Sequence, residues 1–96
     1  MTYQIPLTVN YDSIREVFVV REASNGFSQS KCPNVISKGE FKKLVHFEFD
    51  TKAEAYEQVR RLNKWRDNGG KIEFLNYFTD GLFETVADTK YGCAWN

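Results

Sequence analysis

Only one stretch of this 96-residue chain carries a helical period, and it constrains everything around it. Thr51-Lys52-Ala53-Glu54 has capping-box spacing, in which the first and fourth side chains each satisfy an orphan amide at a helix start. At about 100° per residue, Ala55, Val59 and Leu62 fall within about 60° of one another, with Tyr56 and Trp65 on the flanks. Asn68-Gly69-Gly70 supplies a left-handed stop. The spacing predicts a single helix over about 51–67, capped by Asp50 or Thr51. Its narrow apolar stripe suits it to lie across one face of a sheet.

Period-2 runs surround that helix. Tyr3, Ile5, Leu7 and Val9 alternate with polar residues, and Pro6 places this strand at a sheet edge, at least locally. Asn10-Tyr11-Asp12-Ser13 reads as a turn. Ser13 and Glu16 have capping-box spacing too, but Val17-Phe18-Val19-Val20 favours a second strand over about 15–23. Asn25-Gly26 is the strongest hairpin signal in the chain, and is expected to fold Phe27–Lys31 back onto that strand. Residues 32–39 read as irregular connection. A strand over about 43–49 puts Val45, Phe47 and Phe49 on one face and Leu44, His46 and Glu48 on the other. After the helix, Ile72, Phe74 and Phe78 share one side of a strand. Asp80-Gly81 then makes a hairpin that would set Phe78 opposite Phe83. Residues 87–96 are expected to be a loosely packed tail.

The expectation is an α+β fold: a single small domain spanning 1–96, with a mainly antiparallel sheet of five to six strands and one helix on one face. The strand–helix–strand unit at 43–78 could add one parallel pair through a crossover, which makes a mixed sheet the favoured version. Apolar residues make up 42% of the chain and aromatics 16%, enough to build a core and to exclude a disordered chain. One helix cannot cover both faces of such a sheet. Some of Tyr3, Phe18, Tyr77, Phe83, Tyr91 and Trp95 are therefore expected at the surface.

Several chemistries lack their residues. His46 is the only histidine. Pairing it with Cys32 as base and nucleophile finds no oxyanion loop and no nucleophile elbow to support it. Cys32 and Cys93 are expected to be free thiols, and neither has a metal partner at ligand spacing. Gly69-Gly70 follows a helix, whereas a phosphate cradle precedes one. No catalytic set, metal site or cofactor site is expected, nor a membrane span. Met-Thr-Tyr-Gln-Ile-Pro at the start has neither the basic nor the apolar region of a secretory signal, which points to the cytoplasm.

Charge is the most informative feature that remains. Basic and acidic residues balance at thirteen each, yet residues 38–71 carry a net +3 and residues 72–96 a net −3. The basic excess gathers at Lys42 and Lys43 and along Arg60, Arg61, Lys64 and Arg66. Cations near a helix C-terminus complement its dipole, and Glu57 can reach Arg61 at i,i+4, so the helix face also has a purely structural explanation. The acidic residues near the C-terminus are too few to mimic a nucleic acid. With no catalytic set, a domain of this size is expected to act by presenting a surface. The leading expectation is a non-enzymatic protein-interaction module, of the kind that serves as a small inhibitor or adaptor on a larger host complex in phage or mobile-element biology. Its candidate partner-binding residues are Arg60, Arg61, Lys64, Trp65, Lys42, Lys43 and Trp95, with self-association as an equal version. A nucleic-acid-binding domain, using the basic helix face and sheet aromatics, is the alternative.

Overall fold

The computed structural model describes residues 6–22, 29–78 and 83–85. Seven strands and one helix follow in the order β1 (Leu7–Asp12), β2 (Val17–Glu22), β3 (Gln29–Lys38), β4 (Phe41–Leu44), β5 (Glu48–Phe49), α1 (Lys52–Asp67), β6 (Lys71–Phe78) and β7 (Phe83–Thr85). The α+β architecture holds, with one helix packed against antiparallel strands. The strands divide between two sheets, one ordered β5-β2-β1-β7 and the other β4-β3-β6. Every described pairing is antiparallel. No adjacent parallel pair forms around the helix: β5 and β6 belong to different sheets, while β4 and β6, which the chain joins through α1, run parallel in one sheet with β3 between them.

The helix forms as its sequence dictates. Thr51 is the N-cap: its Oγ1 accepts from the Glu54 amide at 3.3 Å and donates to Glu54 Oε1 at 2.8 Å. At the other end the Gly70 amide reaches the Trp65 carbonyl at 2.9 Å and the Gly69 amide reaches Arg66 at 3.0 Å. This paired closure needs a left-handed residue, which Gly69 supplies at φ 86°. Ala55, Tyr56, Val59 and Leu62 are buried against Leu7, Val9 and Val20 of the first sheet.

The second sheet covers what the helix leaves open. Alternate residues of β2 serve two cores: Phe18 and Val20 pack in the helix-side cluster, while Val17 and Val19 pack with Cys32 and Tyr77 on the other side. Tyr77, one of the six aromatics of which some were expected at the surface, is therefore only 4% exposed. Phe18 is half-buried. Tyr3, Tyr91 and Trp95 lie outside the described residues, as does the Phe83 side chain.

Four further expectations are corrected. Asn10 and Asp12 are not turn residues but the end of β1, and the turn is Ser13–Glu16, with Glu16 in the left-handed region at φ 57°. Instead of a capping box at Ser13, Asp12 Oδ1 accepts from the amides of Ile14 at 3.0 Å and Arg15 at 3.2 Å. Residues 32–38 are strand rather than irregular connection. β3 absorbs Pro33 because its ladder with β6 is irregular between Pro33 and Val35, where a missing N–H is tolerated. β3 pairs with β4 and β6, not with β2, and β7 pairs with β1, so Phe83 stands opposite Asp12 rather than Phe78. The Asn25-Gly26 and Asp80-Gly81 turns fall outside the described residues, as do residues 87–96. Finally, residues 43–49 are not one strand. The chain leaves the second sheet after Leu44 and joins the first at Glu48. It stays tethered on the way by Val45 N–H donating to Asn34 O at 2.8 Å and Val20 N–H to Phe47 O at 2.9 Å. Val45, Phe47 and Phe49 nonetheless share the helix-side core, which is why the alternation resembles one strand.

Candidate docking groove

Between α1 and β4 the surface opens into a groove of about 340 Å³, floored by Ile36, Val45 and Leu62 and flanked by Phe41, Lys43, Gln58, Arg61 and Trp65. Its construction starts at Gly39-Glu40, a two-residue turn joining β3 to β4. Gly39, at φ 61°, occupies the first central position, where a type II′ turn requires glycine. The turn sets Lys43 opposite Ile36 and Leu44 opposite Val35. All four residues of β4 are exposed, and two of them are large and apolar: Phe41 at 55% and Leu44 at 76%. β4 is also an edge of its sheet among the described residues.

The helix contributes Gln58, Arg61, Leu62 and Trp65, whose i, i+3, i+4, i+7 spacing makes one stripe. Trp65 is held at both ends. Its Nε1–H donates to the Lys71 carbonyl at 3.2 Å, and its ring meets Phe41 with centroids 6.1 Å apart. Gly70 makes room for the indole, since a Cβ there would fall 2.2 Å from Trp65 Nε1.

This geometry sorts the candidate residues. Lys43, Arg61 and Trp65 come together in the groove, and Lys42 is next to it on β4. Arg60 and Lys64 lie on a neighbouring exposed stripe of α1, so the basic helix face divides in two. Glu57 pairs with Arg60 at 3.7 Å, an i,i+3 contact, and not with Arg61. Among the described residues Lys42, Lys43, Arg61 and Lys64 have no acidic partner. Arg66, also in the basic excess, lies over the Phe74 ring at 5.5 Å, and burial pulls its pKa down. Trp95 is outside the described residues. The sequence reading missed Phe41, Leu44 and Val45 as groove residues. Its overlooked signal was Lys38-Gly39-Glu40, a tight turn that makes the following apolar and basic residues an edge strand.

The polar residues buried elsewhere are engaged in holding the fold. Tyr77 Oη donates to Asp12 Oδ2 at 2.7 Å and lies 3.4 Å from Glu48 Oε2. Arg15 covers the Tyr77 ring at 4.9 Å and reaches Glu48 at 3.6 Å. Arg21 donates Nε–H to Asn10 Oδ1 at 2.7 Å. Burial, with the bond to Asp12 adding to it, raises the Tyr77 hydroxyl well above its ordinary range. Burial likewise pushes the Cys32 thiol up to about 12, which leaves it a poor nucleophile at neutral pH. His46 is exposed, with its ring edge-on to Phe49 at 4.8 Å. No group of three or more metal-ligating side chains occurs among the described residues, and no helix there is long and apolar enough to cross a membrane. No protein-family model, curated protein or solved structure matches the chain.

Proposed function

We propose that this protein is a non-enzymatic protein-interaction module, an adaptor or inhibitor whose partner docks in the groove between α1 and β4. One observation carries the reading: exposed Phe41 and Leu44 stand beside Lys43 and Arg61, two cations without acidic partners among the described residues. Exposed apolar side chains rimmed by charge are the ordinary composition of a docking surface. The uncompensated cations favour a partner carrying acidic residues. Arg60 and Lys64 extend that positive field along the helix and would speed encounter more than they would hold the complex.

The test is partner capture from lysate of the source cell or its host, with and without nuclease, repeated with Leu44→Asp and Arg61→Glu. Both substitutions sit at exposed positions, so thermal unfolding is expected to stay close to wild type. A stoichiometric partner that survives nuclease and is lost with both variants supports the reading. A partner retained by both variants refutes the groove. Recovery that collapses with nuclease replaces the protein partner with nucleic acid.

A further inference from the structure

The chemistry of the occupant can be read from the backbone of β4, given the docking role just assigned to the groove. Residues flanking a two-residue hairpin turn form a hydrogen-bonded pair, and such pairs alternate along an antiparallel ladder. Lys38–Phe41 and Ile36–Lys43 are therefore the bonded pairs here. The Val45 amide, donating to Asn34 at 2.8 Å, continues the alternation. Lys42 and Leu44 consequently direct their N–H and C=O groups away from β3, and no described strand receives them. An edge of this kind is a template for one more strand.

We propose that β4 is extended by an extended segment of a partner protein whose core reads apolar–acidic–acidic–apolar. The pattern follows from cross-strand pairing. Opposite Phe41-Lys42-Lys43-Leu44, an antiparallel neighbour gains by placing carboxylates against Lys42 and Lys43 and apolar side chains against Phe41 and Leu44. Successive side chains alternate faces. One carboxylate thus meets Lys43 and Arg61 on the groove side, and the other meets Lys42 on the far side.

Charge argues against a second copy as the occupant. Antiparallel pairing opposes outward residues only to outward ones, so self-pairing centred on Lys42 or on Lys43 sets that lysine directly against its own copy, and opposed like charges are destabilising. This chain also contains no two adjacent acidic residues anywhere, so it cannot supply the complementary core itself. Lys42 and Lys43 thus protect the edge from itself while leaving it open to an acidic strand.

The experiment titrates the intact protein with a short synthetic peptide centred on Val-Glu-Glu-Val, followed by amide NMR. Saturable shifts at Lys42, Lys43 and Leu44 are expected. Two perturbations isolate the backbone. N-methylation of the two glutamate amides leaves every side chain and the whole protein untouched, and roughly tenfold weaker binding is expected. Lys42→Pro removes an outward N–H that the fold does not use, and the same loss is expected, against only about threefold for Lys42→Gln. Equal affinity for the methylated peptide, or no binding up to millimolar peptide, overturns the proposal. If binding is insensitive to methylation but lost with Leu44→Asp, the groove takes a non-strand occupant. Strand addition then falls while the docking role stands. Insensitivity to all four changes removes both. Stronger shifts of the same amides by single-stranded polyuridylate, fading steeply with salt, replace both with nucleic-acid binding.

Discussion

Tyr77→Phe is the most informative single change to the fold, because one hydroxyl joins the two sheets. Tyr77 comes from β6 in the second sheet, and the Asp12 carboxylate it bonds at 2.7 Å comes from β1 in the first. Asp12 is 1% exposed, so its acceptor cannot turn to solvent when the donor is lost. Hydrogen bonds to charged groups contribute ~1.5–3 kcal/mol, and the burial of the Asp12 carboxylate places this one in the upper part of that range. The ring itself stays packed against Phe47, at 5.8 Å and nearly perpendicular. The expected cost is thus about 2–3 kcal/mol, out of a total stability on the order of 5–14 kcal/mol for a chain of this length. In a thermal melt that corresponds to a drop of about 10 °C or more. Urea unfolding should show the loss as a lower midpoint at unchanged slope. Tyr11→Phe is the control, since Tyr11 meets Phe18 through its ring at 5.0 Å and its hydroxyl has no described bond. That control should stay within about 0.5 kcal/mol of wild type. If Tyr77→Phe is as mild as Tyr11→Phe, the Asp12–Tyr77 bond does not join the sheets energetically.

Gly70→Ala should displace the Trp65 indole, because the added methyl would overlap the ring at 2.2 Å. A destabilisation of about 1–3 kcal/mol and a red-shifted tryptophan emission are expected, and an unchanged spectrum would contradict the packing described. Alkaline pH should also weaken the fold. The Cys32 thiol is held neutral up to about 12 against an ordinary 9.0, so the folded state keeps a proton that the unfolded chain releases first. Stability is therefore complete below about pH 9 and declines as pH rises toward 12, with a full loss on the order of 4 kcal/mol. Tyr77 titrates above its ordinary range and acts in the same direction. Urea midpoints measured from pH 8 to pH 11 should fall, and fall less steeply in Cys32→Ala. Identical slopes in the two proteins would remove Cys32 from the explanation.

Where the determinants are local, the fold was legible. Thr51, Glu54 and Gly69 delimit α1 through contacts within a few residues, and the stripe of Ala55, Val59 and Leu62 names its buried face. Strand partners were not legible, because a turn signal specifies a bend and not the strand that will lie alongside. Phe83 pairing with Asp12 instead of Phe78 shows this directly. Asn10 and Asp12 misled for a related reason. Both residue types favour turns when their side chains have no distant partner. Here Arg21 and Tyr77 supply one, and the buried polar pairs hold the last residues of β1 in the strand.

The candidate site was half legible for the same physical reason. Its charges could be found as residue types, since Lys42, Lys43 and Arg61 stand out in any count of a neutral chain. Which of them act together depends on the chain leaving the second sheet at Val45, a step that the alternation through Phe47 and Phe49 conceals. Had residues 41–49 run on as one strand, β4 would not have ended beside the Arg61–Trp65 stripe, and Phe41 would have no reason to meet Trp65. The break in the strand makes the groove, and the Gly39 turn sets which β4 amides face outward. Shifting the β3–β4 register by one residue would turn Lys43 and its amide to the opposite sides. The docking edge therefore depends on the turn as much as on the lysines that mark it.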